Sequence, residues 1–258
     1  MTAFGEIRAW LGELGWMANV ITIGGSLFTL TLILRKAIRL VGGHSSAAAL
    51  VESFMPTWDS STVKDVGEVA IVDDNIADFP VEELRRDGYH VKSYKSVRLS
   101  DIHHLAEYDV VFLDMHGVVK DDIENGGLKL IARLREENPR QQICAVSSRS
   151  FDPTATTFFK QANDYKKKPL RANECRDVID LSLREKLDPP RLASALDASL
   201  MSVPRRSRRR ILKHIALASA SGTESEQILG KFVWPLINGR EERSVVRDIV
   251  RVLRNANR

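Results

Sequence analysis

Three aspartates, a serine and a lysine stand along this chain where they can gather into an acidic, phosphate-handling site. Asp73 and Asp74 follow the apolar run 69–72, Asp114 follows 110–113, Ser147 follows 143–146, and Lys168 immediately precedes Pro169. Short apolar runs rich in β-branched and aromatic residues, with no alternation, read as parallel strands buried on both faces. In an open sheet of that kind the carboxyl ends of the strands share one edge, and ligands bind there. Three carboxylates brought together repel one another and need a cation, and oxygen-only ligands with room for water suit Mg²⁺ better than zinc. The lysine and the hydroxyl beside them offer donors to a phosphoryl group. The chemistry that uses all these parts is transfer of a phosphoryl group onto a carboxylate, giving an acyl phosphate.

The intervening segments supply the scaffold. Asp78 is expected to cap a helix whose first turn holds Pro80 and which runs to the Gly88 stop. The stretch 90–96 reads as a poorer, edge-like strand, and Ser100 with Asp101 opens a helix ending near Tyr108. The segment from about Leu128 to Glu137, with Leu128, Ile131 and Leu134 on one face, reads as a helix. Asp152 is expected to cap a helix through Phe158 and Phe159, and residues 165–168 form the last strand. This β-α alternation argues for a parallel sheet with helices on both faces.

Residues from about 67 to 186 resemble a response-regulator receiver domain, a CheY-like module covering nearly half the chain. Val72-Asp73-Asp74-Asn75 resembles the acidic pair after the first strand, and Phe112-Leu113-Asp114 resembles the phosphoacceptor strand. Ala145-Val146-Ser147-Ser148 is similar to the hydroxyl-bearing end of the fourth strand, and the stretch Ala162 to Leu170 is similar to the fifth-strand signature with its aromatic residue and Lys-Pro step. The resemblance implies a flavodoxin-like (βα)5 fold with parallel strand order 2-1-3-4-5. It implies that Asp114 is the phosphorylated nucleophile, that Asp73, Asp74, Asp114 and the backbone carbonyl of His116 hold Mg²⁺, and that Ser147 and Lys168 bond the phosphoryl oxygens. It further implies a switch in which Tyr165 turns inward and alters the surface around the fifth strand, with a histidine kinase or phosphotransfer protein as partner. The loop from Asp114 to Gly127 is longer than is usual for the family and lacks its common proline, and the first helix is short.

The rest of the chain sets the context. A net charge of +4 over 258 residues does not by itself demand a nucleic-acid partner. Cys144 and Cys175 are too few for a disulfide framework and are expected to be reduced core residues. Residues 1–41 are expected to hold an amphipathic lead-in helix and one transmembrane helix. No charged residue occurs from Trp16 to Leu34, about twenty residues, enough to cross a hydrocarbon core of roughly 30 Å. Arg35, Lys36 and Arg39 follow at once, so the positive-inside rule places the N-terminus outside and the remainder in the cytoplasm. With the receiver resemblance, the expected location is a bacterial inner membrane, and Gly24, Gly25 and Ser26 permit self-association.

Residues 42–66 read as a linker with one short helix near 47–54. Residues 187–258 read as an all-helical extension, with helices at 191–202, 205–220, 224–238 and 241–256 and a capping box at Thr223 to Glu226. Within it Arg205, Arg206, Arg208, Arg209, Arg210 and Lys213 form a dense basic cluster, open to three readings: DNA, anionic lipid, or plain solvation. No separate enzymatic output domain is recognisable. Besides a membrane-tethered receiver, two other functions are open: a membrane effector in which the receiver-like part senses or oligomerises, and a DNA-binding regulator acting through the basic helices.

Overall fold

Each central strand sends alternate side chains to opposite faces, and the residues so divided fall into two cores. The computed structural model describes residues 43–55, 62–123, 125–148 and 153–256. The expected lead-in helix, the apolar run 16–34 and the expected Asp152 cap lie outside the described residues. Among the described residues, no helix is long and apolar enough to cross a membrane.

In chain order the elements are α1 (Ala47–Phe54), α2 (Thr62–Val66), β1 (Glu68–Val72), α3 (Val81–Arg86), β2 (His90–Tyr94), α4 (Ile102–Leu105), β3 (Val110–Asp114), α5 (Gly126–Glu137), β4 (Gln142–Ser147), α6 (Pro153–Gln161) and β5 (Asp164–Lys167). Then follow α7 (Ala172–Leu187), α8 (Pro189–Ser199), α9 (Arg205–Ala220), α10 (Ser225–Phe232) and α11 (Arg240–Asn255). The five strands form one parallel sheet in the order β2-β1-β3-β4-β5. This is the flavodoxin-like order expected from the sequence. β3 is buried along its whole length, as its continuous apolar run requires, whereas the edge strand β5 alternates half-buried and exposed positions.

Val69, Ile71, Val110, Phe112, Cys144 and Val146 face one side of the sheet, against α3 and α7. Ala70, Val72, Val111, Leu113, Ile143 and Ala145 face the other, against α4, α5 and Phe158 of α6. The two-residue period of a strand produces this division. Cys144 and Cys175 are buried free thiols, as expected.

Residues 44–258 form one compact unit. The helical extension has no core of its own, because Leu192, Leu196, Ile215, Val246, Ile249 and Leu253 continue the α7-side core. The segment expected as a linker contributes Ala47, Leu50, Val51 and Phe54 to the same core. Asp197 of α8 accepts hydrogen bonds from the Ala47 and Ala48 amides at 2.7 and 3.3 Å, which satisfies two otherwise orphaned donors of α1.

Several local expectations are corrected. Asp78 does not cap α3; it closes a 3-10 turn (Ile76–Asp78), and its carbonyl accepts from the Leu170 amide at 2.9 Å. The cause is Pro80, which holds Phe79 in an extended conformation (φ −123°, ψ 140°) and delays the helix to Val81. The helix expected to begin at Ser100 is a 3-10 turn followed by the short α4. The helix expected to be capped at residue 223 starts later: α10 begins at Ser225, with Glu224 before it, after a 3-10 turn entered through Gly222 at φ +58°. The Ser225 hydroxyl lies 2.7 Å from the carbonyls of Ala218 and Gly222, holding the end of α9 against the start of α10.

Candidate functional site

Parallel register alone carries the predicted residues to one edge. Val72 of β1 pairs with Leu113 of β3, so Asp73 and Asp74 emerge beside Asp114. Asp114 pairs with Val146 of β4, which puts Ser147 one step beyond it, and Ser147 pairs with Lys167. The Lys168 amide then donates to the Ser147 carbonyl at 3.0 Å.

Lys168 is the hub. Its ammonium lies 2.8 Å from Asp114 Oδ2 and 3.0 and 2.8 Å from the two oxygens of Asp73. Asp73 is wholly buried, with Asp114 and Lys168 nearly so. Backbone amides hold the carboxylates further: Asn75 donates to Asp73 Oδ1 at 2.9 Å and Met115 to Asp114 Oδ1 at 2.8 Å. Asp74 is exposed and completes the cluster, with carboxylate oxygens of Asp73, Asp74 and Asp114 all within 4.8 Å of one another. Three carboxylates around one ammonium leave an excess of negative charge, and the donors are all oxygen. That set fits a hard divalent cation such as Mg²⁺.

The electrostatics follow from burial. Desolvation pushes the Asp73 carboxyl up to about 6, although the Lys168 and Asn75 hydrogen bonds pull the other way. Burial alone would lower the Lys168 ammonium, but its bonds to Asp114 and Asp73 outweigh that and raise it, so it stays charged.

Two glycines let the backbone close around these groups. Gly117 sits at φ +72°, and a Cβ there would come within 2.7 Å of Asp74 Oδ2. A Cβ on Gly127 would lie 2.3 Å from the Met115 carbonyl oxygen and 2.7 Å from that of Asp114. The long loop after Asp114 is anchored rather than splayed. Val118 and Val119 are fully buried, Val97 and Val119 form an isolated parallel bridge, and the Gly117 amide donates to the Ile123 carbonyl at 3.0 Å.

No protein-family model and no curated protein sequence matches the chain. Among solved structures it is similar to a CheY-like response regulator receiver domain protein from Methanospirillum hungatei JF-1, with 20% identity and a TM-score of 0.39, over 46% of this chain and 95% of that one. The receiver domain of NtrX from Brucella abortus is similar at 21% identity and a TM-score of 0.37, over 45% of this chain and 98% of that one. A response regulator from Burkholderia pseudomallei, described with a phosphorylated aspartic acid, a calcium ion and citrate, is similar at 20% identity and a TM-score of 0.36, over 58% of this chain and 92% of that one.

Of the predicted residues, then, Asp73, Asp74, Asp114 and Lys168 meet directly, and Ser147 stands at the adjoining strand end. His116 lies two residues past Asp114 and is half-buried. Tyr165 is placed apart from them: it is 69% exposed, and its ring rests 5.8 Å from that of Phe159, at a 49° tilt. The Met115 and Asn75 amides escaped sequence reading because a backbone donor carries no residue-type signal. Gly117 and Gly127 were visible only as glycines.

Proposed function

We propose that this chain is a membrane-tethered receiver protein of two-component signalling, which accepts a phosphoryl group on Asp114 and switches an interaction surface. The observation that carries the reading is the buried Asp73–Lys168–Asp114 cluster with Asp74 at its mouth, at the carboxyl edge of a flavodoxin-like sheet. An Asp114 carboxylate oxygen attacks phosphorus, the bond from phosphorus to the donor's leaving atom breaks (an imidazole nitrogen in a phosphohistidine, the acyl oxygen in acetyl phosphate), and the electron pair departs with the donor. Asp73, Asp74, Asp114 and the His116 carbonyl would hold Mg²⁺, which would supply charge neutralisation for the incoming anion. Lys168, already bonded to Asp114, follows the new phosphoryl oxygens, and Ser147 donates to another. Tyr165, outward-facing here, is the group whose reorientation changes the surface beside β5.

The donor is a histidine kinase or phosphotransfer protein, and residues 16–34 hold the chain in a bacterial inner membrane with residues 44–258 in the cytoplasm. Incubation with acetyl phosphate tests the chemistry. The expected result is a Mg²⁺-dependent, acid-stable but alkali-labile phosphoprotein in wild type and none in Asp114→Ala. Equal labelling of the two proteins defeats the reading.

A further inference from the structure

The helix α9 is built against its own stability. Between Asp197 and Glu224 the chain contains no acidic residue, yet Arg205, Arg206, Arg208, Arg209, Arg210 and Lys213 crowd its first half. Cations in a first turn oppose the helix dipole. Arg205 with Arg209, Arg206 with Arg210, and Arg209 with Lys213 also stand at like-charge i,i+4 spacing, which destabilises a helix. Arg208 has a structural task, donating to the Met201 and Val203 carbonyls at 3.1 and 3.3 Å. The other five are exposed and make no salt bridge to a described residue. At the same end of the helix Met201 is 76% exposed.

We propose that this face, Arg205 to Lys213 with Met201 at its edge, docks on the anionic headgroups of a phospholipid bilayer. The inference rests on the membrane-tether part of the proposed function. Three features favour lipid as the occupant. Only twelve residues lie between Leu34, the end of the apolar run, and Ala47, a reach of at most about 45 Å even when fully extended. The amide end of α1, where that tether arrives, is pinned by Asp197, a few residues before Met201 and Arg205, and α1 packs against α8 and α9. An exposed thioether beside five cations that pair with no described residue is also an amphipathic pairing suited to a headgroup boundary rather than to a duplex. Use of α9 as the second helix of a helix-turn-helix with α8 is further disfavoured because α9 packs chiefly on α10 and α11.

The test uses the full chain in proteoliposomes, labelled with a fluorophore at Met201→Cys; Cys144 and Cys175 are buried, so labelling is selective. Brominated lipids should quench the probe at least twofold in bilayers containing phosphatidylglycerol, but not in pure phosphatidylcholine, and high salt should abolish the effect. The combined variant Arg205→Gln, Arg206→Gln, Arg209→Gln and Arg210→Gln should lose the quenching while its melting temperature holds or rises and Asp114 still labels. A surface with only a structural role would not give that pattern. No lipid-dependent quenching overturns the inference, as does quenching that survives the four substitutions. Salt-sensitive binding of duplex DNA, abolished by the same substitutions and without lipid quenching, also overturns it. Alkaline carbonate extraction separates this from the tether: a chain that resists extraction but shows no quenching sinks the docking surface alone, whereas an extracted chain whose probe is still quenched sinks the tether alone.

Discussion

Asp109, just before β3, and Asp114, its last residue, each face a buried lysine, but only Asp109 is fully compensated. Lys186 Nζ stands 2.7 Å from Asp109, Arg251 bonds the same oxygen, and the Glu68 amide donates to the other at 2.9 Å. Asp114 must share Lys168 with Asp73. The amino edge of the sheet is therefore a closed ionic joint to the helical extension, while the carboxyl edge keeps unneutralised negative charge for a cation to meet.

Substituting Asp109→Asn should cost about 3 kcal/mol at neutral pH, because Lys186 and Arg251 would then share Asp248, at 3.9 and 3.3 Å, as their remaining counter-charge. Burial favours the neutral carboxyl of Asp109, yet Lys186 and Arg251 outweigh it and hold the group below the usual carboxylate range. Its contribution is thus present above the unfolded value near ~3.9 and fades as pH falls through the lower folded value. Urea unfolding of both proteins at pH 7 and pH 3 should show the gap between them narrowing in acid.

Asp73 behaves in the opposite sense. Its folded pKa of about 6 lies above the unfolded value, so without a divalent cation the native state should lose stability as pH rises from about 4 to about 6. The loss is on the order of 3 kcal/mol. Because Mg²⁺ competes with that proton, its affinity should climb over the same interval and level off above it. Calorimetric Mg²⁺ titrations at pH 5 and pH 7.5 check this, and equal affinities would contradict it.

Gly88 and Gly117 make a matched pair for testing the mouth of the site. Both have positive φ, +89° and +72°, but a Cβ at Gly88 meets nothing within 4 Å while one at Gly117 meets Asp74. Each Ala substitution should cost about 1–2 kcal/mol of backbone strain. Only Gly117→Ala should also weaken Mg²⁺ binding, measured by the same titration.

Asp197→Ala should free the Ala47 and Ala48 amides, leaving only the Ser46 hydroxyl on the Ala49 amide at the start of α1, and cost about 1 kcal/mol. Limited proteolysis should then cut faster around residues 44–62, with the rest of the cleavage pattern unchanged.

Much of the sheet was legible because its signals are local. Apolar runs of four or five residues marked β1, β3 and β4 to within a residue, and the polar residue ending each run became a site residue by parallel register. The long helices expected at 205–220 and 241–256 were equally plain, since periodicity is written in neighbouring residues. Local rules failed where two of them competed. At residues 78–81 the proline constraint defeated an aspartate cap, and at 222–224 a turn entered through a positive-φ glycine moved the helix start to Ser225.

The sequence by itself determined the fold class, the strand ends and the identities of Asp73, Asp74, Asp114, Ser147 and Lys168. Only the tertiary structure decided how those groups share charge, how the loop after His116 closes, and that the helical extension joins the receiver-like core. The joints that do this span great lengths of chain: Arg251 reaches Asp109 across 142 residues, and Ala47 reaches Asp197 across 150. A charged or polar side chain carries no local mark of its distant partner; burial, which comes only with packing, makes the pairing obligatory.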